Sequence, residues 1–235
     1  MRKRLVLITT NLAHALLRLV AWLKRNRRIN YHLNPCKVNL GSGLVVTHDW
    51  INIDNIFSAF CHKWPSTILK LVYNCSGVTR EYTSQEFITL LKCHSFVHHN
   101  LKYGIPFANE SIDYIYTSHF VEHLYRDEAK MFMTETYRAL KKGGMIRVGI
   151  PDLQYAFSLY KRGRTEEALN LFYVNSKSED NNYHRYMYDF NSLQNLMRYA
   201  GFRNIEKCSY KDGKTPDIDK LDVKPGETLF IEALK

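Results

Sequence analysis

Val38-Asn39-Leu40-Gly41-Ser42-Gly43, followed by Trp50-Ile51-Asn52-Ile53-Asp54, decides how the rest of the chain is arranged. A short apolar strand runs into a glycine turn, and a second strand ends in an acid. Glycines at 41 and 43 remove side chains that would hold the backbone away from a ligand, and Asp54 is placed to accept hydrogen bonds from a ribose diol. The connection between the strands is too short for an ordinary crossover helix, so the pair reads as a compressed nucleotide-binding unit. A glycine pair after an apolar run is by itself only a turn, and its meaning depends on the elements C-terminal to it.

Beyond Asp54 the chain alternates between strand and helix. Ser95 to His98, Ile112 to Thr117 and Met145 to Ile150 read as a third, fourth and fifth strand. Between the last two, Arg126 to Lys142 carries Ala129, Phe132, Met133, Tyr137 and Leu140 at helical spacing, with Gly143-Gly144 as a stop. Strand, helix, strand implies a parallel sheet. Residues 56–93 read as an insertion, with helix broken at Pro65 over Phe57 to Tyr73 and a capped helix over Ser84 to Lys92 that has Glu86 near its start. Asn191 is the expected cap of a helix running through Leu193, Leu196 and Met197 to Gly201. Asn204 to Tyr210 and Thr228 to Leu234 then read as two closing strands, the last antiparallel. The polar stretch Asn175 to Asn182 reads as a loop.

The chain has 235 residues, and 45% apolar content with 13% aromatics is enough for one domain with a buried core. Its net charge of +10 is concentrated at the front: Arg2, Lys3, Arg4, Arg18, Lys24, Arg25, Arg27 and Arg28 stand there with no acid among them. A broad nucleic-acid groove on the domain itself is therefore not indicated. Cys36, Cys61, Cys75, Cys93 and Cys208 are odd in number and never paired as C-x-x-C, which points away from a disulfide framework or zinc knuckle and toward a reducing compartment. Leu5 to Leu23 would make a helix about 28 Å long, but Asn11, His14 and Arg18 line one narrow side of it. With Trp22 beside Lys24 and Arg25, residues 1–30 read as a basic amphipathic helix at a membrane surface. A membrane span, or packing on the domain or a partner, are the other uses of such a helix. Residues 31–235 form the domain, and the expected location is cytoplasmic, peripheral on the inner face of the membrane.

Taken together, Asn39-Leu40-Gly41-Ser42-Gly43, Asp54, Gly104-Ile105-Pro106-Phe107, Asp113, His119 to His123, Leu140-Lys141-Lys142-Gly143-Gly144 and Val148-Gly149-Ile150-Pro151-Asp152 resemble a class I S-adenosylmethionine-dependent methyltransferase. Within that superfamily the chain is similar to small methyltransferases linked to surface-polysaccharide biosynthesis, with which it shares Tyr188-Asp189-Phe190 before a helix. The resemblance covers residues 37–235 and implies an α/β Rossmann-like fold. Position by position, it implies S-adenosylmethionine held by Asn39, Gly41, Ser42 and Gly43, with Gly41 and Gly43 facing the methionine moiety. It puts Asp54 on the ribose hydroxyls, Asn100 and Leu101 on the adenine, and Ser118 at the methyl end. Asn39 replaces an acid common in the first motif, Val45 stands where a third glycine is frequent, and Asn100 replaces a frequent Asp. The amides keep hydrogen-bonding capacity without charge.

Methyl transfer to a hydroxyl needs alignment and a proton acceptor. His119, at the end of the fourth strand, is the expected base, with Glu122, His123, Asp152, His184 and Tyr188 as substrate contacts. His119 to His123 also spells H-x-x-E-H, the spacing of an inverted zinc-protease motif to which His184 would add a third ligand. Its place among methyltransferase landmarks speaks against that protease reading, and no metal is assigned. The expected acceptor is a glycan or another membrane-proximal molecule. RNA methylation through the basic segment, or a non-catalytic adaptor that retained the fold, are the rival uses.

Overall fold

The computed structural model describes residues 17–31, 34–173 and 183–235. One seven-stranded sheet organises it, in the order β3-β2-β1-β4-β5-β7-β6. The strands are β1 Lys37–Leu40, β2 Ile51–Asp54, β3 Ser95–His98, β4 Ile112–Ser118, β5 Leu140–Pro151, β6 Arg203–Cys208 and β7 Thr228–Leu234. Neighbours from β3 through β5 pair in parallel, and β7 runs antiparallel to both β5 and β6. This is the expected Rossmann-like α/β architecture, mostly parallel with an antiparallel closing strand.

The order reverses between β1 and β4. Beyond the carboxyl ends of these two strands lies the crevice in which open sheets of this kind bind ligands, so the glycine loop after β1 and the His119 segment after β4 face one another. Val38, Leu40, Ile53, Ile115, Ile146, Val148 and Ile231 supply the central core and are fully buried. Such near-continuous apolar strands suit a sheet covered on both faces.

Between β2 and β3 come the helices α1 Phe57–Cys61, α2 Ser66–Cys75 and α3 Ser84–Cys93. Ala59, Cys61, Leu69, Phe87, Leu91 and Phe96 give this region a cluster of its own. Pro65 ends the first helical run as its ring requires. At α3 the N-cap Thr83 and Glu86 close a capping box, with the Thr83 N–H donating to the Glu86 carboxylate over 2.7 Å. After β4 comes α4 Arg126–Ala139, which buries Ala129, Phe132, Met133, Thr136 and Ala139 on one face. Beyond β5 lie α5 Leu153–Lys161, α6 Thr165–Phe172, α7 Phe190–Ala200 and the short α8 Ile218–Leu221.

Two boundaries differ from the sequence reading. Gly143-Gly144 does not stop α4: the helix ends at Ala139, and β5 starts at Leu140 with the glycines inside it, beside a register shift between Ile112 and Tyr114 of β4. The cap of α7 is Asp189 rather than Asn191, because the Asp189 carboxylate accepts the Ser192 N–H over 2.8 Å.

One buried cation fastens the far side of the sheet. Arg147, fully buried in β5, donates to Asp222 over 2.6 Å and to Glu232 of β7 over 3.0 Å, and further to the carbonyls of Ser209 and Asp212. The donor groups of a planar guanidinium are thereby spread over two carboxylates and two carbonyls, the condition under which such a charge is tolerated in a core.

Of the N-terminal segment, residues 17–23 are helical, whereas residues 24–30 are turn and irregular chain and do not continue the expected helix; residues 1–16, like the stretch Asn175 to Asn182, lie outside the described residues. Leu17 and Ala21 are buried, whereas Leu19, Trp22 and Leu23 are exposed. Arg28 ties the segment down by donating to the carbonyls of Ile105 and Phe107. Among the described residues no helix is long and apolar enough to cross a membrane.

Candidate active site

The glycine loop turns on positive φ angles of 66° at Gly41 and 53° at Gly43, a region that costs other residues about 1–2 kcal/mol. The two glycines have different reasons to be glycine. A Cβ on Gly41 would stand 2.5 Å from the Phe120 ring, so close packing of the loop on the β4 end demands it. A Cβ on Gly43 would meet nothing within 4 Å. Gly43 therefore leaves open space at the crevice, while Gly41 also lines it and is held to glycine by the packing of Phe120.

Asp54, half-buried at the end of β2, accepts the N–H of Gly43 over 2.7 Å, of Asn55 over 2.6 Å and of Ile56 over 3.2 Å. Burial raises its pKa, while the three backbone N–H groups pull the other way. Asn39, buried beneath the loop, donates to the Val45 carbonyl over 2.8 Å and to Asn52 over 3.2 Å. The amide that replaces an acid here acts as a strut that holds residues 39–45 in shape. Asn100, at the end of β3, accepts the Lys102 N–H over 3.1 Å and so caps the turn Leu101–Tyr103. Leu101 points into the central core.

At the end of β4 the backbone reaches His119 with φ 51°, unusual for a residue with a side chain. Strain of this kind persists only where the surroundings enforce it, and it clusters at functional sites. The His119 N–H is held by the Gly149 carbonyl over 2.9 Å. Its Nε2 lies 3.1 Å from the Thr228 hydroxyl, and its Nδ1 lies 3.4 Å from Oε1 of Glu122.

Two cavities meet at this residue. The first, about 220 Å³, is lined by Asn39, Gly41, Ser42, Gly43, Ser118 and His119 together with Lys224. The second, about 460 Å³, is bounded by His119, Pro151, Tyr155, Glu167, His184 and Lys224. His119 and Lys224 line both. Clefts of about 780 and 490 Å³ occur under residues 24–31 and beside α4; the second is lined by Leu101 and Phe120, but neither takes in the glycine loop or His119. Position at the reversal of strand order, not volume, selects the site.

The structure thus brings together Asn39, Gly41, Ser42, Gly43, Ser118 and His119, and places His184 across the second cavity. Asp54, Asn100 and Leu101 stand outside the lining of the first cavity. Asp152 caps α5 by accepting the Gln154 N–H over 2.9 Å. Tyr188 packs in the central core beside Tyr186, where burial pushes its phenol up to about 12. Phe120, Thr228 and Lys224 were not singled out in the sequence. Phe120 carried one signal, an aromatic directly after the expected base; Lys224 and Thr228 arrive from a distant segment that no local pattern connects to β4.

Residues 63–148 match the family model described as a methyltransferase domain. This stretch, less than half of the chain, is similar to a methyltransferase domain. The matched stretch runs from the insertion to β5 and takes in Ser118, His119 and Glu122, while the glycine loop and Asp54 precede it. A solved structure of a SAM-dependent methyltransferase from Thermotoga maritima is similar over 97% of this chain and 96% of its own, with 18% identity and a TM-score of 0.47. One from Archaeoglobus fulgidus is similar over 96% and 94%, with 18% identity and a TM-score of 0.47. A possible exported protein from Bordetella parapertussis covers 96% of this chain and 68% of its own at 11% identity, with a TM-score of 0.50. No curated protein matches the sequence.

The residues present fit the cofactor of this domain. Open space beside Gly43 and the unpartnered, buried Oδ1 of Asn55 next to Asp54 leave room and hydrogen-bonding capacity at the end of β2. When bound, S-adenosylmethionine supplies an electrophilic methyl group on a sulfonium.

Proposed function

We propose that the protein transfers a methyl group from S-adenosylmethionine to a hydroxyl of a glycan or another membrane-proximal acceptor, with His119 as the proton acceptor. The observation that carries this reading is the position of His119, which lines both the cavity at the glycine loop and the cavity on its far side. A donor in one and an acceptor in the other would meet at its strained backbone. Ser42, Gly43, Asp54 and Ser118 would serve the donor. His184 lines the acceptor side, with Glu122 and His123 behind it and Asp152 and Tyr188 supporting the wall through their paired backbones.

A surface-bound acceptor is supported by the N-terminal segment. Leu19, Trp22 and Leu23 leave an apolar face open while Leu17 and Ala21 are buried, and the Arg25 guanidinium stacks 4.1 Å from the Trp22 ring. An indole and cations presented together suit a headgroup boundary, and a peripheral site on the inner membrane face is the location this favours.

The test is methyl transfer from labelled S-adenosylmethionine into lipid-linked and soluble glycan pools, with RNA as the rival acceptor, comparing the full chain with His119→Asn. Label in a lipid-linked glycan, lost in the variant while cofactor binding stays, supports the reading. Label in RNA alone, or cofactor binding without transfer to any pool, overturns the acceptor assignment.

A further inference from the structure

Glu122 is fully buried, and among the described residues neither of its carboxylate oxygens accepts a hydrogen bond. An ionised carboxylate in that state is costly by several kcal/mol unless a charge compensates it. The groups facing it are imidazoles. His123 Nε2 and His184 Nε2 each lie 3.9 Å from Oε1, and His119 Nδ1 lies 3.4 Å from it on the other side.

The tautomers of two of these rings are fixed from behind. His184 Nδ1 lies 2.6 Å from the Leu171 carbonyl, and His123 Nδ1 lies 3.2 Å from the Tyr183 carbonyl. A carbonyl only accepts, so both Nδ1 atoms carry the proton and, in the neutral rings, both Nε2 atoms present a lone pair to the carboxylate. Two lone pairs turned on a buried anion repel it. A cation between them reverses the sign of every one of these contacts.

We propose that Glu122, His123 and His184 bind one divalent transition-metal ion of the zinc class. Their three ligand atoms lie within 4.8 Å of one another. Two imidazoles and one carboxylate, each imidazole donating its other N–H to a backbone carbonyl, make a donor set suited to such an ion, with coordination positions left over. Ligand atoms around a tetrahedral ion with bonds of about 2.0–2.1 Å stand roughly 3.4 Å apart, so side-chain rotations must close the trio by a fraction of an ångström to somewhat more than one. The frame is already set: Arg185 and Tyr186 donate their N–H groups to the Glu122 carbonyl over 2.7 and 3.2 Å, and the Arg185 guanidinium donates to the His123 carbonyl. The segment that carries His184 is thereby docked on the turn that carries Glu122 and His123.

His184 also lines the 460 Å³ cavity. An ion there would bind an acceptor oxygen and favour its deprotonated form; this role alone rests on the methyltransferase reading, and the site itself does not.

The experiment strips the full-length protein with a chelator and titrates it with Zn2+ by calorimetry and by competition with a chromophoric chelator, with no cofactor or acceptor present. The variants are His184→Ala, His123→Ala, Glu122→Gln and the control His94→Ala. His94 stacks on His48 at 4.7 Å and stands for a surface imidazole pair. One tight site is expected in the parent and in His94→Ala, weakened at least about tenfold in His184→Ala and His123→Ala. Zn2+ raises Tm in the parent and not in those two. Circular dichroism establishes folding of each variant, and if Glu122→Gln does not fold, the two histidine variants decide. Binding that survives in folded His184→Ala and His123→Ala, or is lost in His94→Ala, overturns the proposal, as does no tight binding in the parent. S-adenosylmethionine binding measured on the same samples separates the two readings, since its failure would strike the methyltransferase assignment and leave the metal site standing.

Discussion

Replacing Gly41 and Gly43 by alanine in turn separates a packing requirement from an open wall. Both residues sit at positive φ, so each alanine meets a backbone strain of about 1–2 kcal/mol. At Gly41 the new Cβ also falls 2.5, 2.6 and 2.8 Å from Cδ2, Cγ and Cβ of Phe120. Carbon atoms rest at about 3.5–4.0 Å, and Cβ and Cγ lie at the root of the side chain and cannot swing clear. The ring is held on its other side by Phe132, at 5.1 Å between centroids. Overpacking of this kind adds about 1–3 kcal/mol. Gly41→Ala is expected to lose about 2–5 kcal/mol and Gly43→Ala about 1–2. Equilibrium unfolding in urea, with m unchanged, measures both. Equal losses within about 0.5 kcal/mol, or a larger loss at Gly43, would refute the assignment of Phe120 as the reason for Gly41. Calorimetry with S-adenosylmethionine is expected to invert the order for binding among folded variants, because only the Gly43 methyl enters open space.

The same geometry fixes three more expected outcomes. His119→Asn should leave the affinity for S-adenosylmethionine within a factor of about two and lower kcat at least about a hundredfold, the size of a general-base contribution; equal loss of both in kinetics and calorimetry would assign His119 to cofactor binding instead. Asp54→Ala removes the acceptor of three backbone N–H groups, and is expected to cost about 2–3 kcal/mol in urea unfolding and to abolish cofactor binding. Glu232 is raised by burial, but the N–H groups of Lys214 and Thr215 and the Arg147 charge outweigh this and hold it below the usual carboxylate range. The native state then binds fewer protons than the unfolded one, so this stability is present above the ordinary glutamate pKa and is lost as the pH falls through the depressed value. Glu232→Gln should flatten the acid limb of a pH–stability curve, and an unchanged slope would contradict the sign.

The sheet was legible because its strands are short apolar runs with sharp polar ends, and because Ala129, Phe132 and Met133 repeat at helical spacing between two of them. Gly143-Gly144 misled the reading because a glycine pair marks a helix stop and a bend entering a strand equally well; the register shift opposite it is a tertiary event. Asn191 was the local favourite for a cap, and Asp189 took the place because its carboxylate meets the Ser192 N–H. Within the site, the glycine loop and His119 were visible as strand ends. The unpartnered carboxylate of Glu122 among the described residues was not, since the spacing H-x-x-E-H records which residues recur and is silent on which ring N–H a distant carbonyl will accept. Arg147 stood unnoticed in an apolar strand because its two carboxylates come from residues 222 and 232.

The place of β7 bears on how the chain is made. It comes after β6 in sequence, yet lies between β5 and β6 in the sheet. As the polypeptide leaves the ribosome, β6 has no strand to pair with until residues 228–234 have emerged, and Arg147 waits in β5 for Glu232 on that same strand. The half of the sheet that carries the glycine loop closes from earlier segments, while an unpaired edge at β5 stays exposed to other nascent chains for as long as translation of residues 152–234 lasts. Slow or paused synthesis over that stretch would then lower the yield of native protein without altering a single contact in the finished fold.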